Sequence, residues 1–156
     1  MKTIFRTRLT DVDSSAVDTL GDLRYEQDKI YKYVQLQNTS ATVAVVATDM
    51  VSYDNETGAR TNIVVADDDD ADAVPIGAGA VQAAAAGTLT VAYYLWIQVT
   101  GPITLATPPT SGNDGQSLMM STSADKTLIV ANAVTDTICA TANDRTAGEV
   151  ILRCPF

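Results

Sequence analysis

The sequence contains no histidine and only two cysteines, Cys139 and Cys154, among its 156 residues. Histidine is the commonest general base near neutral pH and the commonest metal ligand, so its absence argues against Ser-His-Asp and Cys-His catalysis and against His-based zinc sites. The two cysteines match no CxxC spacing and cannot complete a four-ligand cluster. We therefore expect a non-catalytic protein without a metal or other cofactor. The cysteines are expected to be small buried hydrophobic residues, with a disulfide between them as the alternative.

Basic residues are also few, and no long apolar run is present. Ten Lys and Arg against nineteen Asp and Glu give a net charge of −9 and a pI near 4.2. Phosphate backbones and anionic lipid headgroups repel such a chain. Apolar stretches long enough for a signal-peptide core or a membrane span are missing. The composition predicts a soluble protein, made in the cytoplasm, with neither nucleic acid nor membrane as a partner.

The densest group of charges is the acidic run at residues 67–72. Oxygen ligands in a cluster are what calcium requires, so the run can be compared with a calcium loop that starts at Asp67. Position six of that loop is Asp72 instead of glycine, and position twelve is Ala78 instead of glutamate. The run therefore predicts a solvated acidic turn, with a loose divalent site as the alternative.

Short β-branched runs recur at spacings of about ten residues, separated by turn residues. This spacing predicts an all-β, single-domain sandwich or barrel of about ten short antiparallel strands over residues 21–156. The pattern predicts a hairpin, with strands at residues 23–26 and 29–36 and a turn at residues 27–28. In its second strand, alternate positions place Ile30, Val34 and Leu36 on one face, with Lys32 as a polar exception, and Tyr31, Tyr33 and Gln35 on the other. The alanine-rich residues 80–86 fit either a short helix or a strand of small side chains.

Residues 91–99 form the most aromatic stretch and include the only tryptophan, Trp96. Alternation leaves apolar side chains on both faces, which predicts a central strand that Gly101 and Pro102 end. The face that carries Tyr94 and Trp96 is expected to pack against a second sheet or a sister subunit, because tryptophan and tyrosine are common interface anchors. The alternative is that Trp96 is an ordinary core residue.

Residues 1–20 show neither clean alternation nor a helical stripe, and predict an extended N-terminal arm outside the β core. The arm contains hydrophobic Phe5 and Leu9, and it carries Lys2, Arg6 and Arg8, three of the ten basic residues of the chain. A basic, partly apolar arm on an acidic body suits docking onto an acidic partner surface. The alternative is a terminus that contributes nothing. In either case the fold is expected to survive removal of residues 1–15.

Three segments, in this order, resemble segments of small structural proteins from tailed bacteriophages. They are residues 20–36 (LGDLRYEQDKIYKYVQL), residues 81–102, which contain YYLWIQVTGP, and residues 114–121 (DGQSLMMS). The three segments lie between residues 20 and 121 and together comprise 47 residues. It departs from the family pattern at Leu95, where a small residue is expected before Trp96.

The resemblance implies a capsid decoration, or cement, protein. Such a protein is an all-β virion module that binds the outer surface of the assembled phage head and stabilises the expanded capsid without catalysis, often as a trimer. The implied partners are the major capsid protein and sister subunits, and the implied location is the outer capsid surface. The resemblance supplies no binding residues, so the candidate contacts come from the residues themselves: Phe5, Arg6, Arg8, Tyr94 and Trp96. The alternatives are a tail or fibre-associated virion module and a carbohydrate-binding module, which would need Trp96 or a tyrosine on an exposed flat face.

Overall fold

The computed structural model describes residues 5–38, 40–54, 62–67 and 75–155. Within these ranges the chain forms ten strands and no helix, which confirms the prediction of an all-β fold. The strands are β1 (Leu23–Glu26), β2 (Lys29–Leu36), β3 (Met50–Tyr53), β4 (Ile63–Val65), β5 (Gly77–Val81), β6 (Tyr93–Thr104), β7 (Ser117–Met120), β8 (Leu128–Val130), β9 (Ala140–Asp144) and β10 (Glu149–Arg153).

Five of the strands close into a barrel in the order β2, β4, β3, β5, β6, because β6 pairs back onto β2. Strand β1 extends the sheet beyond β2, and β10, β9, β7 and β8 extend it beyond β6. Every pairing is antiparallel except β2 with β4, which is parallel. The predicted antiparallel strands thus have one exception. Strand β4 follows β3 in the chain and pairs antiparallel with it, and its other edge meets β2 in the parallel direction.

Strand β6 is twelve residues long and continues through Gly101 and Pro102, where the sequence predicted its end. The continuation is possible because β10 pairs with this part of β6 and places Ile151 opposite Pro102. Gly101 has a φ of 102°, and a Cβ there would lie 2.5 Å from the carbonyl oxygen of Asp28. Glycine thus lets β6 pass close to the β1–β2 turn without a break.

The predicted hairpin is present, with β1 and β2 joined at Gln27 and Asp28. Val34 and Leu36 lie in the main core, whereas Tyr31 and Tyr33 lie in a second cluster with Trp96, as alternation along β2 predicted. The alanine-rich segment is not a helix: β5 includes its first residues, and an isolated bridge joins Ala85 to Val45. Cys139 and Cys154 are both buried and free, so the alternative of a disulfide is not what the structure contains.

Lys32, the polar exception on the inward face of β2, is buried with an exposed fraction of 6%. Its Nζ lies 3.1 Å from the Tyr53 hydroxyl, which donates in turn to the Pro155 carbonyl at 2.8 Å. Burial lowers the pKa of Lys32 because the charged ammonium loses its hydration. The position is tolerated because the amine keeps a hydrogen-bonding partner inside the barrel.

Candidate interface on the outer face of the barrel

Three aromatic side chains form a cluster on the outer face of β2 and β6. Tyr33 lies opposite Trp96 in the strand register, and their ring centroids are 5.2 Å apart. Tyr31 completes the group, and all three side chains are buried. We call Tyr31, Tyr33 and Trp96 the aromatic cluster. Because it lies on the face of the strands opposite to the main core, something other than the barrel interior has to cover it.

The cover is the N-terminal segment of the same chain. The Phe5 ring meets Trp96 edge-on with centroids 5.0 Å apart, and Leu9 and Leu20 pack against the same cluster. The indole Nε1–H of Trp96 donates to Thr7 Oγ1 at 2.8 Å, so the polar atom of the tryptophan is satisfied inside the cluster. Residues 5–20, which we call the strap, therefore pack along the outer face of the barrel, where the sequence predicted an arm outside the β core.

The strap has an alternation that the sequence analysis missed. Phe5, Thr7 and Leu9 contact or approach the aromatic cluster, whereas Arg6 and Arg8 are exposed. The signal was present in the letters FRTRL, a five-residue pattern with period two. It was too short to stand out within twenty otherwise irregular residues. The two arginines therefore point outward to solvent, while Phe5, Thr7 and Leu9 lie on the side of the aromatic cluster.

Asp18 fastens the beginning of the strap. Its carboxylate accepts hydrogen bonds from the backbone N–H of Arg6 at 3.0 Å, from the backbone N–H of Thr7 at 3.1 Å, and from the Thr7 hydroxyl. Burial alone raises the pKa of Asp18, but these hydrogen bonds to the charged form outweigh burial and leave the pKa below its ordinary value. An ionised Asp18 therefore stabilises the strap in the position seen.

Backbone hydrogen bonds fasten the rest of the strap. Asp13 and Tyr94 exchange two of them, at 3.0 and 2.8 Å, and the Tyr33 hydroxyl accepts from the N–H of Val17 at 3.4 Å. The Arg24 guanidinium of β1 lies 5.9 Å from the Phe5 ring centroid and donates to the Thr7 carbonyl at 3.4 Å. The strap is thus joined to β1, β2 and β6 at several separate points.

The structure separates the five candidate contact residues into two groups. Trp96 belongs to the aromatic cluster, and Phe5 and Tyr94 pack against it. Trp96 is fully buried, so the alternative of a core tryptophan describes this residue. Its face was expected to meet a second sheet or a sister subunit, but the strap of its own chain covers it. Arg6 and Arg8 remain exposed on the strap. Outside these five, Tyr25 of β1 is the tyrosine with a large exposed side chain, at 68%.

The described residues contain neither a metal-binding cluster nor a membrane-spanning helix. In the described ranges, no group of three or more His, Cys, Asp or Glu side chains is arranged to hold a metal ion. Of the acidic run, Asp67 is buried and residues 68–72 lie outside the described residues. No helix in the described parts of the chain has the length and apolarity to cross a membrane.

Comparison with protein-family models, with curated proteins and with solved structures finds no match to this chain.

Proposed function

We propose that this protein is a virion structural protein that binds the outer surface of a tailed-phage head and stabilises the expanded capsid without catalysis. Its proposed partners are the major capsid protein and sister subunits, as the homotrimer that the resemblance implies. The first support is the resemblance of three segments, in the same order along the chain, to segments of phage structural proteins. The second support, and the observation that carries the mechanism, is the pair of exposed arginines on the fastened strap.

The strap exposes positive charge on one side and is held to the barrel by its other side. Arg6 and Arg8 put positive charge on the surface of a chain with a net charge of −9, so an acidic partner surface would be attracted to this edge in particular. Thr7, between the two arginines, and Phe5, just before them, are held against Trp96. Because the segment is already ordered, binding through the arginines does not require the conformational entropy of a free terminus to be lost.

Stabilisation of the capsid then needs no chemistry. A protein that binds the expanded lattice and not the unexpanded shell shifts the equilibrium between them by mass action. Electrostatic attraction to an acidic patch would govern the encounter rate and its salt dependence. The barrel to which the strap is fastened keeps Arg6 and Arg8 in one orientation.

The test is co-sedimentation of purified protein with expanded and with unexpanded heads across a concentration series. Arg6→Gln/Arg8→Gln should weaken binding to expanded heads at least tenfold, about 1.4 kcal/mol. Thr122→Glu/Ser123→Glu, in the exposed turn between β7 and β8, makes the same change in net charge and serves as the matched control. Equal weakening by both variants would indicate net charge alone, and no binding of the wild type to heads would refute the proposal. Microscopy of labelled particles would distinguish the head from the tail or fibre.

A further inference from the structure

A second exposed surface lies on β10 and the C-terminal half of β6, on the side of the sheet away from the main core. Along β10, exposed and buried side chains alternate without exception. Val150 and Leu152 lie in the core, and Glu149, Ile151 and Arg153 face outward. We call these three residues, with their neighbours on β6, the β10 face.

The neighbouring strand β6 extends this face with exposed residues of its own. Pro102 lies opposite Ile151 and Thr104 lies opposite Glu149, and both are exposed. A shallow groove of about 500 Å³ runs along these residues and is bordered by Lys29 of the hairpin. The centre of the β10 face is therefore apolar, with Ile151 exposed to 38%, and its charged residues stand at the two ends.

The charges are arranged so that the face complements itself. Glu149 and Arg153 stand two residues on either side of Ile151, which places a negative and a positive side chain about 7 Å from the centre in opposite directions. A rotation of 180° about an axis through Ile151 exchanges the two ends. Two copies of the face laid together would place each Glu149 against the Arg153 of the other copy, and the two Ile151 side chains against each other.

The two charged groups are available for such a contact. The Glu149 carboxylate accepts one hydrogen bond from Asn143 Nδ2 at 3.0 Å, which holds it in place while leaving its other oxygen without a partner in the described chain. Arg153 makes no side-chain hydrogen bond or ion pair with any described residue. Exposed charges of opposite sign with an apolar centre are the arrangement of an isologous interface, in which residue i meets j and j meets i.

We propose that the β10 face is a self-association surface and that its partner is a second copy of this chain, related by a two-fold axis through Ile151. This inference does not depend on capsid binding. A two-fold contact through β10 and a three-fold contact elsewhere use different surfaces. Loss of the β10 contact would thus leave a trimer intact, while pairs of chains or pairs of trimers would disappear.

Charge reversal gives the decisive test, measured by sedimentation equilibrium of the full chain without capsids. Glu149→Arg and Arg153→Glu should each weaken pairing at least tenfold, because each places like charges together twice. The double variant E149R/R153E should restore pairing. An equimolar mixture of the two single variants should also pair, since a copy with two arginines then meets a copy with two glutamates.

A cross-link locates the axis. In the Ile151→Cys variant, the two introduced thiols should form a disulfide between copies when oxidised glutathione accepts the two electrons, and mass spectrometry identifies the linked peptide. Thr122→Cys, at an exposed position in the β7–β8 turn, is the matched control and should cross-link at least tenfold more slowly. The proposal is overturned by a wild type that shows no pairing at millimolar concentration, by single variants that pair as the wild type does, or by a mixture that pairs no better than the single variants. It is also overturned if these variants change binding to heads but not self-association, because the face then belongs to the capsid contact.

Discussion

Thr7 and Trp96, 89 positions apart in the chain, are joined by a hydrogen bond from the indole N–H to the threonine hydroxyl at 2.8 Å. The same hydroxyl donates its own proton to the Asp18 carboxylate. Thr7 thus connects the only tryptophan, in the N-terminal part of β6, to the carboxylate that fastens the strap. An apolar side chain of similar size could fill the space of Thr7 but could make neither bond.

Thr7→Val should lower the free energy of unfolding by about 1–3 kcal/mol, because a buried indole N–H loses its acceptor. Urea denaturation followed by tryptophan fluorescence measures the change. Thr10→Val, an exposed position in the same strap, is the matched control and should stay within about 0.5 kcal/mol of the wild type. Equal stability of the two variants would show that the indole bond contributes nothing.

Deletion of residues 1–15 should destabilise the fold, contrary to the expectation from sequence that the arm is dispensable. Removal of the partly buried Phe5 and Leu9 should cost about 2–4 kcal/mol, the usual range for apolar burial of this extent. Water would then reach Trp96, so its fluorescence emission should shift to longer wavelength. An unchanged melting temperature with unchanged emission would show that the strap does not cover the cluster in solution.

Asp18 should make stability depend on acid. Its pKa is lowered in the folded state, so its contribution is present above the unfolded pKa near 3.8 and is lost as the pH falls through the lower folded value. Asp18→Asn should reduce stability at pH 7 by about 1–2 kcal/mol, as expected for hydrogen bonds to a charged group. The variant should also lose less stability than the wild type on acidification below pH 4. Parallel stability curves for the two proteins would contradict this role.

Lys32 should make stability depend on pH on the alkaline side, where stability again rises with pH. Burial lowers its pKa below the ordinary 10.5, so the unfolded chain binds more protons between these two values and stability rises with pH in that window. Lys32→Met should be neutral or stabilising by about 1 kcal/mol at pH 7, because no buried amine then has to lose its hydration. Its stability should lack the alkaline rise that the wild type shows. A loss of several kcal/mol would mean that the bond to Tyr53 outweighs the cost of burial.

The two buried cysteines should be unreactive in the folded protein. A hydrogen bond with the Cys139 side chain and, as the second cause, burial raise the pKa of Cys154 well above its ordinary value. Because the thiolate is the reactive form, a raised pKa makes the thiol less reactive. Titration with Ellman's reagent should detect no thiol in the native state and two in denaturant. Rapid native reaction of either thiol would contradict the packing, and fewer than two thiols in denaturant would indicate a disulfide.

Much of the barrel could be predicted from sequence because its information is local. The hairpin at residues 23–36 and the two-faced strand through Trp96 follow from alternation with period two, which burial enforces along each strand. The parallel pairing of β2 with β4 could not be predicted, because neither strand carries a signal for the direction of its neighbour. The continuation of β6 through Gly101 and Pro102 was missed for a similar reason: it depends on β10, a strand almost fifty residues further along the chain.

For the candidate interface too, local sequence features could be predicted but contacts between distant segments could not. Sequence composition selected Phe5, Tyr94 and Trp96 as aromatic candidate contacts, and Arg6 and Arg8 as the local excess of positive charge. It predicted that the arm docks on a partner and that the face of Tyr94 and Trp96 meets a second sheet or a sister subunit. The structure instead packs Phe5, Tyr94 and Trp96 against one another within the chain. The distinction rests on Thr7, which occupies the middle of the short FRTRL alternation but acquires its role only through a bond from Trp96 on a distant strand.

The closure of the barrel has a consequence for how the protein is made. Strand β2 pairs with β6 through residues in the thirties and the nineties, so the ring cannot close until the ribosome has released β6. Until then the nascent chain carries a β2 edge without this partner and the tyrosines Tyr31 and Tyr33 without Trp96 beneath the strap. Synthesis proceeds at about 5–20 residues per second, so the unclosed sheet stays exposed to other unfinished chains for several seconds. Slower translation between β2 and β6 should therefore increase aggregation, whereas slower translation after β6 should have little effect.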